Sequence, residues 1–224
     1  MILRKENKIN KSLVSVIIPT LNRQKQLDRC LYSIIDSGYK NVELIIIDNG
    51  SNDETIDYLK KLKVGNIKKI CNKKNLGLAH ARNQGISVSK GEMVLFIDDD
   101  NVIHESMINH LLDSFEVNQN FGIVAPITFY LSDKNCIWFA GVIMNNLSSK
   151  FNFLYKDKYL HNIRLNDIYT TENVHNCFMV RRNLFNKYGV FDEKLFLTGT
   201  EIDFCNRIKN DYEITINSKA KCFH

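Results

Sequence analysis

Three short apolar runs constrain this chain more than any other feature. Residues 14–18 (VSVII), 44–47 (LIII) and 93–97 (MVLFI) are apolar throughout except for Ser15 and carry β-branched side chains; the first ends at Pro19 and the other two at aspartates. A strand with one wet face alternates, so an apolar run of this length predicts a strand covered on both faces. Between the runs the period changes. Leu27, Cys30, Leu31, Ile34 and Ile35 share one helical face, with Gly38 as the stop. Ile56, Leu59 and Leu62 give a second helix its stripe, and Ser51 and Glu54 read as its capping box, Ser51 being the N-cap. A weaker strand over 67–71 and a helix over 78–89, closed by Gly91, complete the pattern. Strands that alternate with amphipathic helices predict an α/β fold with a Rossmann-like, mostly parallel sheet and helices on both faces.

Ligands of such sheets bind beyond the carboxyl ends of the strands. Three ends carry polar residues, Pro19-Thr20-Leu21-Asn22-Arg23, Asp48-Asn49-Gly50-Ser51 and Asp98-Asp99-Asp100, and all three should open on one edge. The aspartates are the most demanding, because packed carboxylates repel and a buried one needs a partner. In an extended segment alternate residues point the same way, so Asp98 and Asp100 are expected to share a face. An Asp-x-Asp pair suits Mg²⁺ or Mn²⁺, which keeps several waters and takes phosphate oxygens. The same residues could instead cap a following helix.

The second half is less regular. A helix is expected over 106–115, a strand over 122–127, a helical stretch after Arg181-Arg182, and a helix over 201–208. Residues 134–165 are rich in aromatics and asparagine and show no clear element. No linker, repeat or low-complexity tract divides the chain, so one domain is expected over 1–224.

Composition narrows the function. No window approaches the ~18 apolar residues of a membrane span, and the polar start lacks the apolar core of a signal peptide, so a cytoplasmic protein is expected. The six cysteines form no CxxC pair, which favours reduced thiols over a zinc site or a disulfide scaffold. The net charge of +5 comes from scattered lysines without an aromatic RNA-binding motif. No nucleic-acid partner is therefore expected, while nucleotides or an anionic membrane face stay open. The GxGxxG and GxxxxGK[ST] loops are absent, against dehydrogenases and P-loop ATPases, and residues 19–23 lack the glycine a nucleotidyltransferase loop would want.

The segments SVIIPTLNR, ELIIIDNGSNDET, NKKNLGLAHARNQGI and LFIDDDN, in that order, resemble the inverting GT-A glycosyltransferases of family two. In the second half FMVRRNLFNKYGVFDEKLF resembles the family's segment around its acceptor-binding helix, and TEIDFCNRI its Glu-Asp-x-Asp-Leu-x-x-Arg stretch. The resemblance runs from about Ser12 to the end of the chain. It implies a nucleotide-binding half over about 12–101, an acceptor-binding half over 102–224, and a nucleotide-diphospho-sugar donor (UDP-, dTDP- or GDP-linked). The acceptor it implies is a glycan or lipid-linked hydroxyl, with contact at the inner face of the membrane. Carried over by position, it implies that Thr20 and Arg23 lie along the nucleotide and that Asp48 bonds the base. Asn75, Gly77 and Arg82 would line the pocket, Asp98 would sit near the ribose and sugar, and Asp100 would ligate Mn²⁺ or Mg²⁺. Asp99 takes the variable middle position.

The chemistry needs a cation to neutralise the diphosphate leaving group and a carboxylate base on the opposite side of the anomeric carbon. Here the chain departs from the family. The usual Glu-Asp pair is Thr200-Glu201, so Glu201 stands where the family's aspartate base stands, one methylene longer. Asp203 reads as a structural residue pairing with Arg207 at i,i+4. His224 matches a histidine that ligates the metal in some relatives. The altered pair leaves one rival, a catalytically degenerate module that holds nucleotide or glycan without turnover.

Overall fold

The computed structural model describes residues 12–145 and 150–224. Its first half alternates as expected: β1 (Val14–Thr20), α1 (Gln24–Ile35), β2 (Val42–Asp48), α2 (Thr55–Lys61), β3 (Ile67–Cys71), α3 (Leu78–Val88) and β4 (Met93–Ile97). β1 pairs in parallel with both β2 and β4, and β2 with β3. β5 (Val102–Ile103), α4 (Met107–Val117), β6 (Phe121–Phe129), β7 (Ile137–Phe139), β8 (Val142–Asn145) and β9 (Lys150–Phe153) follow. The chain then runs through β10 (Ile168–Thr170), β11 (Cys177–Arg181), α5 (Leu184–Tyr188) and α6 (Thr200–Ile208) into β12 (Glu213–Phe223). One sheet carries the order β10-β12-β6-β11-β4-β1-β2-β3, with β5 on β12 and β7 on β6. β11 is antiparallel to both β4 and β6, so it welds the two halves in reversed sense. Among the described residues β8 and β9 pair only with each other, as a two-stranded ribbon.

The apolar runs are buried on both sides, as their composition requires. Val14, Val16 and Ile18 pack with α1, α2 and α4, while Ile17, Val94 and Phe96 turn to α3, α5 and α6. No helix among the described residues is long and apolar enough to cross a membrane.

Two expectations are corrected. The capping box does not form. α2 begins at Thr55, whose N–H is taken by the Asp53 carboxylate at 3.0 Å. Ser51 instead accepts the Asn22 N–H at 2.9 Å, and Asn22 accepts the Asn52 N–H at 2.8 Å. Ser51 joins two loops and lies four residues before the helix, with Glu54 at the N-cap position. The triple aspartate is no helix cap either, since β5 intervenes before α4.

At the opposite edge of the sheet Glu43 is buried, 1% exposed. Its carboxylate accepts the Ser15 hydroxyl (2.6 Å), the Lys90 and Gly91 N–H groups and the Lys68 ammonium (2.8 Å), tying β1, β2, β3 and the loop before β4 together. Burial pushes this carboxyl up, but Lys68, Ser15 and the Lys90 N–H outweigh it, and the net shift is downward. A depressed folded pKa contributes stability above the unfolded value of about 4.3 and loses it as pH falls through the lower folded value. Glu43→Ala is expected to cost about 3–5 kcal/mol, the scale for breaking a buried pair. Glu43→Gln is expected to flatten the loss of stability below about pH 4.3. Urea melts at pH 7 and in a series running below about pH 4.3 check both, and an unchanged acid limb in Glu43→Gln would remove Glu43 from this role.

Candidate active site

The carboxyl ends of β1, β2 and β4 open on one edge, around a cleft of about 390 Å³, within the range of small-molecule sites. Thr20, Arg23, Asn75, Gly77 and Asp98 line it together with Asp99 and Asp100. The second half adds Phe196 and Leu197, both more than half exposed, at its lip.

The loops forming the cleft are stitched by short polar side chains. Asn22 adopts φ 55°, a left-handed conformation that asparagine tolerates, and so brings its backbone N–H to Ser51. Asp48, 3% exposed, accepts the Ser51 N–H at 3.0 Å and sets the turn after β2. Asn49 donates to the Asn75 side chain (2.9 Å) and the Gly77 carbonyl (3.2 Å), and it accepts the Leu76 N–H (3.1 Å). Gly77 has φ 92°, and a Cβ there would stand 2.7 Å from Phe196. Only glycine lets the second half close on this loop, where the Leu78 N–H donates to the Phe196 carbonyl at 2.7 Å.

The aspartates are not an extended segment. The Asn101 N–H donates to the Asp98 carbonyl at 3.1 Å, so residues 98–101 form a turn, clamped from behind by Asn176 on Asn101 (2.8 Å). The period-two expectation fails for that reason. Asp99 and Asp100 share one partner, Arg23, at 3.2 and 2.7 Å, and the Thr20 hydroxyl donates to Asp99 at 2.7 Å. Asp98 turns instead to Arg82, at 3.3 Å.

Arg82 stands beneath the cleft floor. It is fully buried, and its guanidinium bonds Glu201 (2.7 Å), the Thr200 hydroxyl (3.1 Å) and Asp98. The rings of Phe96, Phe178 and Phe191 surround it at 5.6–5.8 Å. Burial pushes the Glu201 carboxyl up, and Arg82 pulls it further down, to a net value below the ordinary range. Burial also pushes Asp98 up, to about 6, against the pull of Arg82 and with help from the Glu201 and Asp100 charges. Asp203 pairs with Arg207 at 2.8 Å on α6, as its spacing predicts.

His224 lies 3.5 Å from Asp100 through Nε2, and its ring lies on Trp138 with centroids 4.4 Å apart. Asp48, Arg82, Glu201 and His224 border the cleft without lining it. Asn49 and Asp99 lie in two of the marked strand ends but have no role of their own in the sequence reading, and Phe196 and Trp138 come from segments whose path only the fold decides.

Comparisons with known proteins now bear on this geometry. A Haemophilus influenzae protein called an uncharacterized glycosyltransferase is 27% identical over 202 residues, 89% of this chain and 61% of that protein. The UDP-Glc:alpha-D-GlcNAc-diphosphoundecaprenol beta-1,3-glucosyltransferase WfaP of Escherichia coli is 34% identical over 111 residues, 49% of this chain and 43% of its own. The crystal structure of GalNAc-T7 with UDP, GalNAc and Mn²⁺ superposes with a TM-score of 0.77 at 18% identity, over 96% of this chain and 44% of that one. This chain therefore spans 61% or less of each. The last likeness gives the fold, which is GT-A. The model of Glycosyl transferase family 2 matches residues 15–189, which takes in the strand ends of the cleft, the aspartate turn and the Arg82 helix but not Phe196 and Leu197 at the lip, and the chain belongs to that family.

Proposed function

We propose that the chain transfers a sugar from a nucleoside-diphosphate donor (UDP-, dTDP- or GDP-linked) to an acceptor hydroxyl with inversion, assisted by Mn²⁺ or Mg²⁺, in glycan or polysaccharide synthesis. One observation carries this reading: the charged cluster where the cleft meets the second half. Asp98, Asp99, Asp100 and Glu201 face two guanidiniums, Arg23 and Arg82, so four negative charges meet two positive ones. A divalent cation matches the surplus of two. Asp100 and His224 fit as its holders, an oxygen and a nitrogen donor on one edge. Among the described residues no group of three or more His, Cys, Asp or Glu is arranged to hold a metal. A two-residue site suits an ion that fills its shell with water and phosphate oxygens. When bound, it would neutralise the charge growing on the diphosphate leaving group.

The chain's own residues supply the rest. Arg23 is half exposed beside the cleft and can exchange a carboxylate for phosphate oxygens. Asp48 is assigned to the base, Thr20, Asn75 and Gly77 to the nucleotide walls, and Asp98 to the ribose and sugar. Glu201, kept ionised by Arg82, is assigned the acceptor proton. One base and one displacement give inversion. The name of the Escherichia coli relative specifies a diphosphoundecaprenol-linked acceptor, which supports a lipid-linked glycan and a place at the inner face of the membrane. Both halves are read as one catalytic domain. A second reading, a binding module without turnover, draws on both Glu201 oxygens being engaged, one by Arg82 and one by the Thr200 hydroxyl at 2.8 Å.

Asp100→Ala is expected to remove the Mn²⁺-dependent part of UDP or GDP binding while the melting temperature holds, and His224→Ala to weaken Mn²⁺ support more than Mg²⁺ support, nitrogen being the softer donor. Calorimetry with each metal checks this, and equal metal-dependent affinity in mutant and parent overturns the assignment. Glu201→Gln is expected to lower transfer at least ~100-fold while donor binding stays within a few-fold. Transfer assays beside donor titrations check it. A near-parental rate moves the base elsewhere, and a parent that binds donor but never transfers favours the binding module.

A further inference from the structure

The β8–β9 ribbon carries apolar side chains on both of its faces. In its register Met144 stands opposite Phe151 and Val142 opposite Phe153 on one face, while Ile143 shares the other with Asn152. Val142 is buried, and Phe153 leans edge-on against Phe139 at 6.3 Å. Beyond that root no described residue covers the apolar surface: Ile143, Phe151, Phe153, Tyr155 and Tyr159 are 37–50% exposed. A two-stranded ribbon that pairs with no other described strand is marginal by itself, and wet aromatic rings do not stabilise it.

The charges around these rings say what covers them. Along the sequence residues 150–164 carry four cations, Lys150, Lys156, Lys158 and Arg164, and one acid, Asp157, whose carboxylate accepts the Tyr130 hydroxyl at 2.7 Å. Two further acids touch the patch, Glu172, which accepts the Met144 N–H, and Asp133, bonded to the Tyr159 hydroxyl, so four cations stand against three acids. Lys156 and Lys158 are exposed, and the Lys156 ammonium lies 5.5 Å from the Phe153 ring centre. A protein partner's apolar core would exclude these cations. A membrane interface accepts both, with rings at headgroup depth and ammonium groups reaching to phosphates.

We propose that the β8–β9 ribbon and the following residues to Tyr159 dock on the surface of an anionic phospholipid bilayer. The ribbon's root leads to the cation edge through ring contacts: Phe153 to Phe139, Phe139 to His175 at 5.8 Å, His175 to Trp138 at 5.1 Å, and Trp138 to His224. Docking there brings the acceptor side of the cleft toward the bilayer, where a lipid-linked hydroxyl would be delivered. That delivery rests on the transferase reading, whereas the docking itself needs no turnover.

The test is sedimentation of the full chain with vesicles of pure phosphatidylcholine and of phosphatidylcholine containing one-third phosphatidylglycerol, at low and high salt. Binding to the anionic vesicles alone, weakened by salt, is expected. Lys156→Gln with Lys158→Gln should weaken it about 30-fold, two cations near an anionic surface. Phe151→Ser with Phe153→Ser should weaken it at least tenfold, and if that pair fails to fold, the lysine pair and the salt series decide. Equal binding to both vesicles, no binding, or binding indifferent to the lysine pair overturns the proposal. So does a self-association in sedimentation velocity that Phe151→Ser with Phe153→Ser abolishes, which would assign the patch to a second copy. Calorimetry of UDP with Mn²⁺ on the same variants separates the two readings: vesicle binding without nucleotide binding supports this surface and overturns the transferase.

Discussion

The buried guanidinium of Arg82 is the interaction on which this site depends. A charge with no exposed surface is tolerated only when its partners are close and well aimed, and Arg82 reaches Glu201, Thr200 and Asp98 together. These partners come from distant parts of the chain: Asp98 follows β4, while Thr200 and Glu201 open α6. The one cation therefore fixes the distance between Asp98, which lines the cleft, and Glu201 at the start of α6. Its charge pulls both carboxyls down; it prevails at Glu201, while at Asp98 burial and the neighbouring Glu201 and Asp100 charges outweigh it. The rings of Phe96, Phe178 and Phe191 exclude water around it and strengthen each bond it makes.

A second constraint acts on the backbone. Three strand ends must meet at one edge, and each leaves peptide groups that the sheet no longer pairs. Asn22, Ser51 and Asn49 satisfy these groups across loops, and Asp48 does so within its own. The result is a polar network with its members bonded, which holds the cleft open without ligand. Gly77 serves the same end by omission, because any side chain there would push away Phe196 and the lip it belongs to.

The two ends of the sheet do different work. At one edge Glu43 collects four donors from β1, β3 and the loop before β4, and fixes strand register far from the cleft. At the other edge β12 carries His224 beside Asp100, and the paired backbone of His224 with Phe129 and Leu131 holds it there. Stability and chemistry are separated along the strands, and the loops at the carboxyl ends are left to carry polar and acidic groups.

How much of this was legible depended on whether the signal was local. The apolar runs over 14–18, 44–47 and 93–97 announced a doubly covered parallel sheet, because a strand's exposure is written in its own period. Asp203 with Arg207 was legible for the same reason, the two being one helical turn apart. The capping box at Ser51 and the shared face of Asp98 and Asp100 were misread, because both assumed local geometry where long-range contacts had claimed the residues. Ser51 answers to Asn22, and the aspartate turn answers to Asn101 and Asn176. The ribbon of β8 and β9 fell in the stretch without a clear element, since each of its strands is only four residues long, too short for a period to stand out. The sequence by itself determined the sheet, its covering helices and the edge on which polar residues gather. Only the tertiary structure decided that Arg82 lies beneath the floor between Asp98 and Glu201, because a charged residue's partner is chosen by proximity in space, which spacing along the chain does not encode.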